Sequence, residues 1–256
     1  MLIRIWKALK SLRLGRYTCS VCNHRIHDFQ PLPEYYHENA AKYGCEHSFD
    51  DAETLNYKQY SCPSCGVSDR DRLYALFISR YLLENNISKM TMLEIAPSKA
   101  LSAFTKKTGR INLRTADLNM QDVDDKIDIT NMQNYADSSF DSFICSHVLE
   151  HVADDRKALS ELYRILKPGG WGILMVPIKL GIDEIDEDPT LEDEGERWRR
   201  FGQHDHVRRY SKKGFLERVE SAGFRVCQYG REYFGAEVFQ KNAINEKSIL
   251  YIVIHN

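Results

Sequence analysis

The chain is predicted to fold as an α/β protein, with a doubly wound, mostly parallel nucleotide-binding sheet behind a small N-terminal metal module. Three observations predict it. Between residues 91 and 177 short apolar runs alternate with stretches of helical periodicity, the pattern of strands joined by crossover helices. The first run, Met92-Leu93-Glu94-Ile95, ends in an acid and a small-residue turn, Ala96-Pro97-Ser98, before a helical segment. That strand, turn and helix form the unit that brings backbone N–H groups and a helix N-terminus to a ligand. Upstream stand two Cys-x-x-Cys pairs, Cys19 with Cys22 and Cys62 with Cys65.

Composition narrows the function classes. At 256 residues the chain can bury a full core, and one large domain plus a small one is the natural division. A net charge of −2 supplies no general attraction to nucleic acid. No apolar run approaches the roughly 20 residues that span a bilayer. The N-terminus interleaves charged with apolar residues, unlike a secretory signal. Seven cysteines are an odd number, and four lie in the close pairs, which favours a reducing compartment and metal over disulfides. The expected location is the cytoplasm.

Residues 1–16 place Leu2, Ile5, Leu9 and Leu12 at three- and four-residue spacing, with Arg4, Lys7, Lys10, Arg13 and Arg16 between them and no acid. This is a basic amphipathic helix. It either packs on its own protein or rests on anionic lipid with Trp6 at the interface, peripherally at the inner membrane face.

Residues 17–68 form the module. Each Cys-x-x-Cys makes a knuckle, a turn aiming two thiolates at one point, with Asn23 or Gly66 tolerating the turn that follows. Cys19, Cys22, Cys62 and Cys65 together complete a closed tetrahedral site of the zinc-ribbon kind, structural rather than catalytic; iron suits the same ligands. A redox pair would open a helix after a strand, which Pro63-Ser64 and Gly66 do not suit. The 39 residues between the knuckles hold His24, His27, His37, Cys45 and His47 as substitute ligands. Their aromatics (Phe29, Tyr35, Tyr36, Tyr43, Phe49, Tyr57) are expected to pack against the larger domain.

The larger domain, residues 69–256, opens with a helix over 69–87 carrying Leu73, Leu76, Phe77 and Tyr81 on one face. A strand then ends at Asp117, a little over 20 residues past Glu94, where an acid can accept two hydrogen bonds from ribose hydroxyls. Asp128 and Ile129 begin a turn. A buried strand through Phe143, Ile144 and Cys145 is flanked by Asp141, His147, Glu150 and His151. Asp154 or Asp155 caps the next helix, and Pro168-Gly169-Gly170 stops it before a further strand. Residues 178–210 are irregular: an acid-rich half read as solvated surface, then Trp198, Phe201, His204, His206 and Arg208 just past the sheet's carboxyl end, where loops form lids and substrate walls. Ser211 caps a final helix closed by Gly223, and two strands end the chain.

Together these segments resemble a class I S-adenosylmethionine-dependent methyltransferase from about Asp69 to Asn256. The resemblance rests on Glu94-Ile-Ala-Pro-Ser, Asp117, the Asp128-Ile-Thr turn, HVLEHV at 147–152 and ILKPGGWGILMVP at 165–177. FGQHDHVRRYS at 201–211 resembles a bacterial branch with a zinc-ribbon-like N-terminus. One departure stands out: Ala96, Ser98 and Ala100 occupy positions usually held by glycine, and Pro97 removes an N–H. The resemblance implies a Rossmann-like sheet with its last strand antiparallel and S-adenosylmethionine as cofactor. By analogy Glu94 orients the cofactor's amino group, Ala96 contacts the methionyl moiety, Asp117 binds the ribose, Asp128 and Ile129 flank adenine, and His147 lies near the sulfonium.

Methyl transfer to a hydroxyl calls for a base, and histidine, with an ordinary pKa of about 6.5, suits the task. His151, His204 and His206 are the candidates, the last two preferred for their place in the lid beside Arg208, which would hold an anionic group, and Trp198, a substrate wall. The expectation is O-methylation of a sugar, glycan intermediate or other small polar acceptor. Methylation of RNA or protein, with the zinc module as reader, is a second reading. A degenerate module that binds cofactor or a partner without catalysis is a third. The sequence does not specify oligomeric state.

Overall fold

A computed structural model describes residues 15–256, so the amphipathic segment expected over 1–16 falls almost entirely outside the described residues. The chain enters through the first knuckle. There β1 (Tyr17–Thr18) and β2 (Arg25–Ile26) pair antiparallel, and Asn23 takes the left-handed turn between them at φ 59°. Next come α1 (Glu34–Lys42) and a 3₁₀ turn at Phe49–Asp51, opened by a capping box of Ser48 and Asp51. A second capping box, Ser68 with Asp71, starts α2 (Asp69–Glu84), each side chain taking the other's orphan N–H.

Strand and helix then alternate through β3 (Met90–Ile95), α3 (Lys99–Lys107), β4 (Ile111–Asp117), β5 (Asp125–Lys126), β6 (Phe140–Ser146), α4 (Asp155–Ile165) and β7 (Leu166–Met175). The irregular segment carries β8 (Ile178–Lys179), β9 (Asp186–Glu187), α5 (Glu194–Phe201) and β10 (Arg208–Ser211). The chain closes with α6 (Lys212–Ser221), β11 (Phe224–Tyr229), the short α7 (Arg231–Phe234) and α8 (Ala236–Lys241), and β12 (Leu250–His255). The main sheet runs β11-β12-β7-β6-β3-β4-β5, parallel from β7 to β5, with β12 antiparallel to both neighbours. The order reverses between β3 and β6, and at such a switch point the two crossovers leave in opposite directions and open a crevice at the strands' carboxyl ends.

One boundary differs from expectation. Pro168-Gly169-Gly170 does not separate α4 from a later strand; β7 begins at once at Leu166. Residues 167–170 bulge out opposite Asp141, and the register steps from Phe140–Leu166 to Ser142–Trp171. Lys167 clamps the bulge by pairing with Asp141 at 2.7 Å. Beyond it Gly172 is fixed by packing, since a Cβ there would fall 2.2 Å from the Phe143 ring.

The small and large parts share one core, in which Tyr17, Cys19, Phe29 and Cys62 pack in the same cluster as the sheet. Arg72 joins them. Fully buried on α2, its guanidinium donates to the carbonyls of Gln59, Tyr60, Asn242 and Ala243 and covers the Phe29 ring at 3.8 Å. Between the knuckles, buried Glu53 accepts from Tyr251 Oη at 2.6 Å and from Lys212 at 2.9 Å. Tyr35 and Tyr43 pack on Trp198 of α5, which draws the irregular segment onto α1. Among the described residues no helix is long and apolar enough to cross a membrane.

Replacing Arg72 by Met keeps its bulk but leaves the carbonyls of Gln59, Tyr60 and Asn242 without donors, while Ala243 O keeps the one from Asn56 Nδ2. Each orphan costs about 1–3 kcal/mol, so Arg72→Met should lower unfolding free energy by at least about 3 kcal/mol. Urea unfolding of the variant beside the parent measures this.

Candidate functional site

At the carboxyl ends of β3, β4 and β6 the chain encloses a cleft of about 780 Å³. Ala96, Asp117, Asp128, Ile129 and His147 all line it, with Leu118 and His151 beside them. Asp117 Oδ1 accepts the N–H groups of Asn119 (2.6 Å) and Met120 (2.7 Å), which fixes the carboxylate at the strand end. Asp128 Oδ1 accepts from Thr130 N and Oγ1, a local turn that leaves its residue exposed. Leu118 is 61% exposed, an apolar side chain in the wall with nothing over it.

Two strand exits are strained. Ala96 after β3 has φ 50° and His147 after β6 has φ 56°, the left-handed region that costs a non-glycine residue roughly 1–2 kcal/mol. Hydrogen bonds to the neighbouring strand hold each in place: Ala96 N donates to Ala116 O at 2.9 Å, His147 N to Met175 O at 2.8 Å. This alters one expectation. The turn was predicted to offer N–H groups to a ligand, yet Ala96 N–H is spent, Pro97 has none, and Ser98 N–H donates to Glu94 Oε1 at 3.0 Å. Glu94 itself is buried, its other oxygen taking Ser102 Oγ at 2.6 Å. The carboxylate fastens α3 to β3 and lines a smaller pocket behind Ala96, with Arg70, Asp71 and Ser146.

Past the cleft lies a second cavity of about 270 Å³ between the module and the irregular segment. Tyr36, His47 and Tyr60 line it from the module side, Arg70 from α2, and Gln203 and Arg209 from the irregular segment. His147 and His151 belong to the walls of both spaces. Glu150 and His206 line the second beside them, and the rings of His151 and His206 meet edge to face at 4.7 Å. His151 Nδ1 stands 3.2 Å from Asp205 Oδ2.

The electrostatics follow from burial and these contacts. Burial pushes His206 down to about 4 and lowers His147 as well, keeping both imidazoles neutral. Burial opposes charge on His151 too, but the Asp205 hydrogen bond and Glu150 outweigh it and raise its pKa. For Glu150 burial disfavours the anion, and the surrounding His147, His206 and His151 overcome it, holding the carboxyl down at about 2. Burial, aided by the Arg209 charge, takes His47 down to about 4.

Three predicted site residues lie elsewhere. Arg208 does not face a cavity: only 1% exposed, it donates to the carbonyls of Leu149, Val152 and Ala153 and pairs with Glu187 at 3.0 Å. It cannot hold a substrate's anionic group. Trp198 is buried among Tyr35, Tyr43 and His204, a packing residue rather than a substrate wall, and His204 lines neither space. The alternation of β10 explains the first miss, since Arg208 points inward and its neighbour Arg209 reaches the cavity. Arg209 is buried with Nε and Nη2 unpartnered. Glu150 stood in plain view within HVLEHV but had no assigned role.

Burial raises the Glu94 pKa from its ordinary 4.5 to about 7 against the Ser102 and Ser98 hydrogen bonds. The native state therefore binds the extra proton between those values, and stability falls as pH rises from 4.5 through about 7. Glu94→Gln removes the titration; its Oε1 still accepts from Ser98 N–H, and its Nε2 donates to Ser102 Oγ in place of the bond the carboxylate accepted. It should be more stable than the parent by up to roughly 3 kcal/mol near pH 8.5, with the difference vanishing near pH 4. Denaturant unfolding at the two pH values reads the difference.

With the geometry established, comparison with known proteins identifies the relatives. Residues 77–174 match the methyltransferase domain family. Thiol S-methyltransferase TMT1B of Rattus norvegicus is 52% identical over 40 residues, so the match spans only 16% of either chain. A SAM-dependent methyltransferase structure from Archaeoglobus fulgidus aligns at 15% identity and a TM-score of 0.46, covering 73% of this chain and 95% of that one. Another from Aquifex aeolicus aligns at 17% and 0.41, covering 69% and 87%.

Proposed function

Residues 77–174 form a methyltransferase domain of class I type, and from that premise we propose that the chain is an S-adenosylmethionine-dependent methyltransferase acting on a hydroxyl of a sugar, a glycan intermediate or another small polar acceptor. The observation that carries the reading is the shared wall: two spaces, one at the switch point and one under the module, meet at His147 and His151. Donor and acceptor held on either side of such a wall are brought to one point, and alignment supplies much of the rate when charge is lost in the transition state.

Bound in the larger cleft, the cofactor supplies a methyl group on a cationic sulfur. Asp117, with Oδ2 free of hydrogen bonds, would take the ribose hydroxyls. Leu118 and buried Ile129 would enclose the adenine. Acidic Glu94 and Asp71 in the pocket behind Ala96 suit the cofactor's ammonium end. On the acceptor side, Tyr36, Tyr60, Gln203 and His47 offer hydrogen bonds to several hydroxyls, and the unpaired Arg209 donors suit an oxygen-rich ligand. The neutral imidazole of His147, open to both spaces, is placed to take the acceptor's proton.

We also infer that Cys19, Cys22, Cys62 and Cys65 hold a structural zinc ion. The sulfurs of Cys19 and Cys65, and of Cys22 and Cys62, lie 3.8 Å apart. That is about the edge of a tetrahedron with 2.3 Å zinc–sulfur bonds. All four sulfurs cluster within 4.8 Å, while His24, His27, His37, Cys45 and His47 are not among them.

Calorimetric titration with S-adenosylmethionine and then S-adenosylhomocysteine tests the cofactor reading. One-site binding is expected, weakened at least about tenfold in Asp117→Ala, the loss of a charged hydrogen bond. No binding to folded, zinc-replete protein would sink it. For the thiolate site, Cys62→Ser should lose zinc by elemental analysis and melt at least about 5 °C lower, because a structural ion contributes directly to folding.

A further inference from the structure

The carboxylate of Glu150 is fully buried, and neither of its oxygens receives a hydrogen bond from any of the described residues. His147 Nδ1 comes within 3.2 Å of Oε1, but not in hydrogen-bond geometry. A buried carboxyl without hydrogen-bond partners is costly unless a ligand meets it, and two further ligand-type side chains stand around it. We propose that Glu150, His151 and His206 form a binding site for a divalent first-row transition ion, on the wall between the cofactor cleft and the acceptor cavity.

Each residue offers a ligand atom within 4.8 Å of the other two. Metal bonds of about 2.0–2.2 Å need those atoms roughly 3–3.5 Å apart, so side-chain movements of about an ångström would close the site. The histidines are already oriented. His206 Nδ1 lies 3.3 Å from the carbonyl of Phe201, and His151 Nδ1 lies 3.3 Å from that of Asp205. A carbonyl oxygen only accepts, so the proton sits on Nδ1 and the Nε2 lone pair is left for an ion. Metal-binding histidines are held by such outer contacts. Two imidazoles and one carboxylate select zinc, iron, cobalt or manganese over calcium or magnesium, and three protein ligands leave a position open.

The use of that open position rests on the methyl-transfer reading. An acceptor hydroxyl oxygen placed there ionises more readily, and its proton passes to His147, which is not among the three ligands. The oxygen pair forms the O–CH₃ bond, the S–CH₃ bond breaks with its electron pair staying on sulfur, and nothing is oxidised or reduced. The same ion fixes which hydroxyl of a polyhydroxylated acceptor is presented.

Full-length protein equilibrated with Zn²⁺ and desalted, then weighed by native mass spectrometry, tests the site without reference to activity. Two ions per chain are expected in the parent and one each in Glu150→Gln and His151→Ala. His151 is partly exposed, so its variant guards against misfolding of the first. Cobalt substitution separates the sites, because the thiolate charge-transfer band belongs to the cysteine cluster and should persist in both variants. A single ion in the parent overturns the proposal, as does a second ion retained in both variants. Either failure leaves cofactor binding, measured separately, untouched.

Discussion

One buried guanidinium holds the site together. Arg208 reaches from β10 to the carbonyls of Leu149, Val152 and Ala153, the turn that follows β6. That turn carries His147, Glu150 and His151, and its own backbone bonds amount to one 3₁₀ turn at Leu149–His151 and single bonds to Met175 and Val207. Three carbonyls are satisfied by one side chain, whose charge is balanced by Glu187 at 3.0 Å and Asp155 at 3.6 Å. Arg218 adds bonds to the same two acids, so the cluster is a closed network rather than a lone buried cation. Its electrostatic worth is less telling than its geometry: a planar fork with several donors in fixed directions is what a turn with several carbonyls requires.

The same economy places the second cavity. A parallel sheet leaves its carboxyl edge open, and something must roof it. Here the irregular segment and the module do so jointly, because Trp198 of α5 is wedged between Tyr35 and Tyr43 of the module. The aromatic contact buries a large apolar area at one stroke. Arg199 reinforces it through Glu46, a half-exposed pair that contributes little beyond register. The thiolate cluster would therefore act at a distance, by fixing the module whose Tyr36 and Tyr60 line the cavity.

Much of the frame was legible in the sequence because its signals are local. Ser211 reads as a cap and is one, as is Asp154 of the pair Asp154 and Asp155, and the acids Asp117 and Asp128 line one cleft. The mostly parallel character of the sheet followed from strand–helix alternation, and its antiparallel last strand from the resemblance. What was illegible depended on which way a side chain faces in a short, irregular stretch. In FGQHDHVRRYS only residues 208–211 are strand, where alternation sends Arg209 to the cavity and Arg208 away from it; the turn before the strand brings Gln203 and His206 to the cavity and leaves His204 out. A four-residue strand gives too few repeats for a periodic pattern to reveal its inner face. The KPGG bulge was missed for a related reason: proline and glycine mark a break in hydrogen bonding, and a bulge is as good a break as a loop.

The altered first turn is best understood as a choice of ligand charge. A glycine there would relieve the left-handed strain at Ala96, at the cost of a looser chain. Alanine, proline and serine instead give a turn whose N–H groups are all committed, to Ala116 O and to Glu94, or absent. Beyond it the first turn of α3 has no side-chain cap, and the acids Glu94 and Asp71 line the pocket behind Ala96. For a ligand ending in an ammonium group the exchange keeps the acceptors and discards only donors it would not use. The departure from glycine is thus in keeping with the proposed cofactor, whose ammonium end would lie beside Glu94 and Asp71.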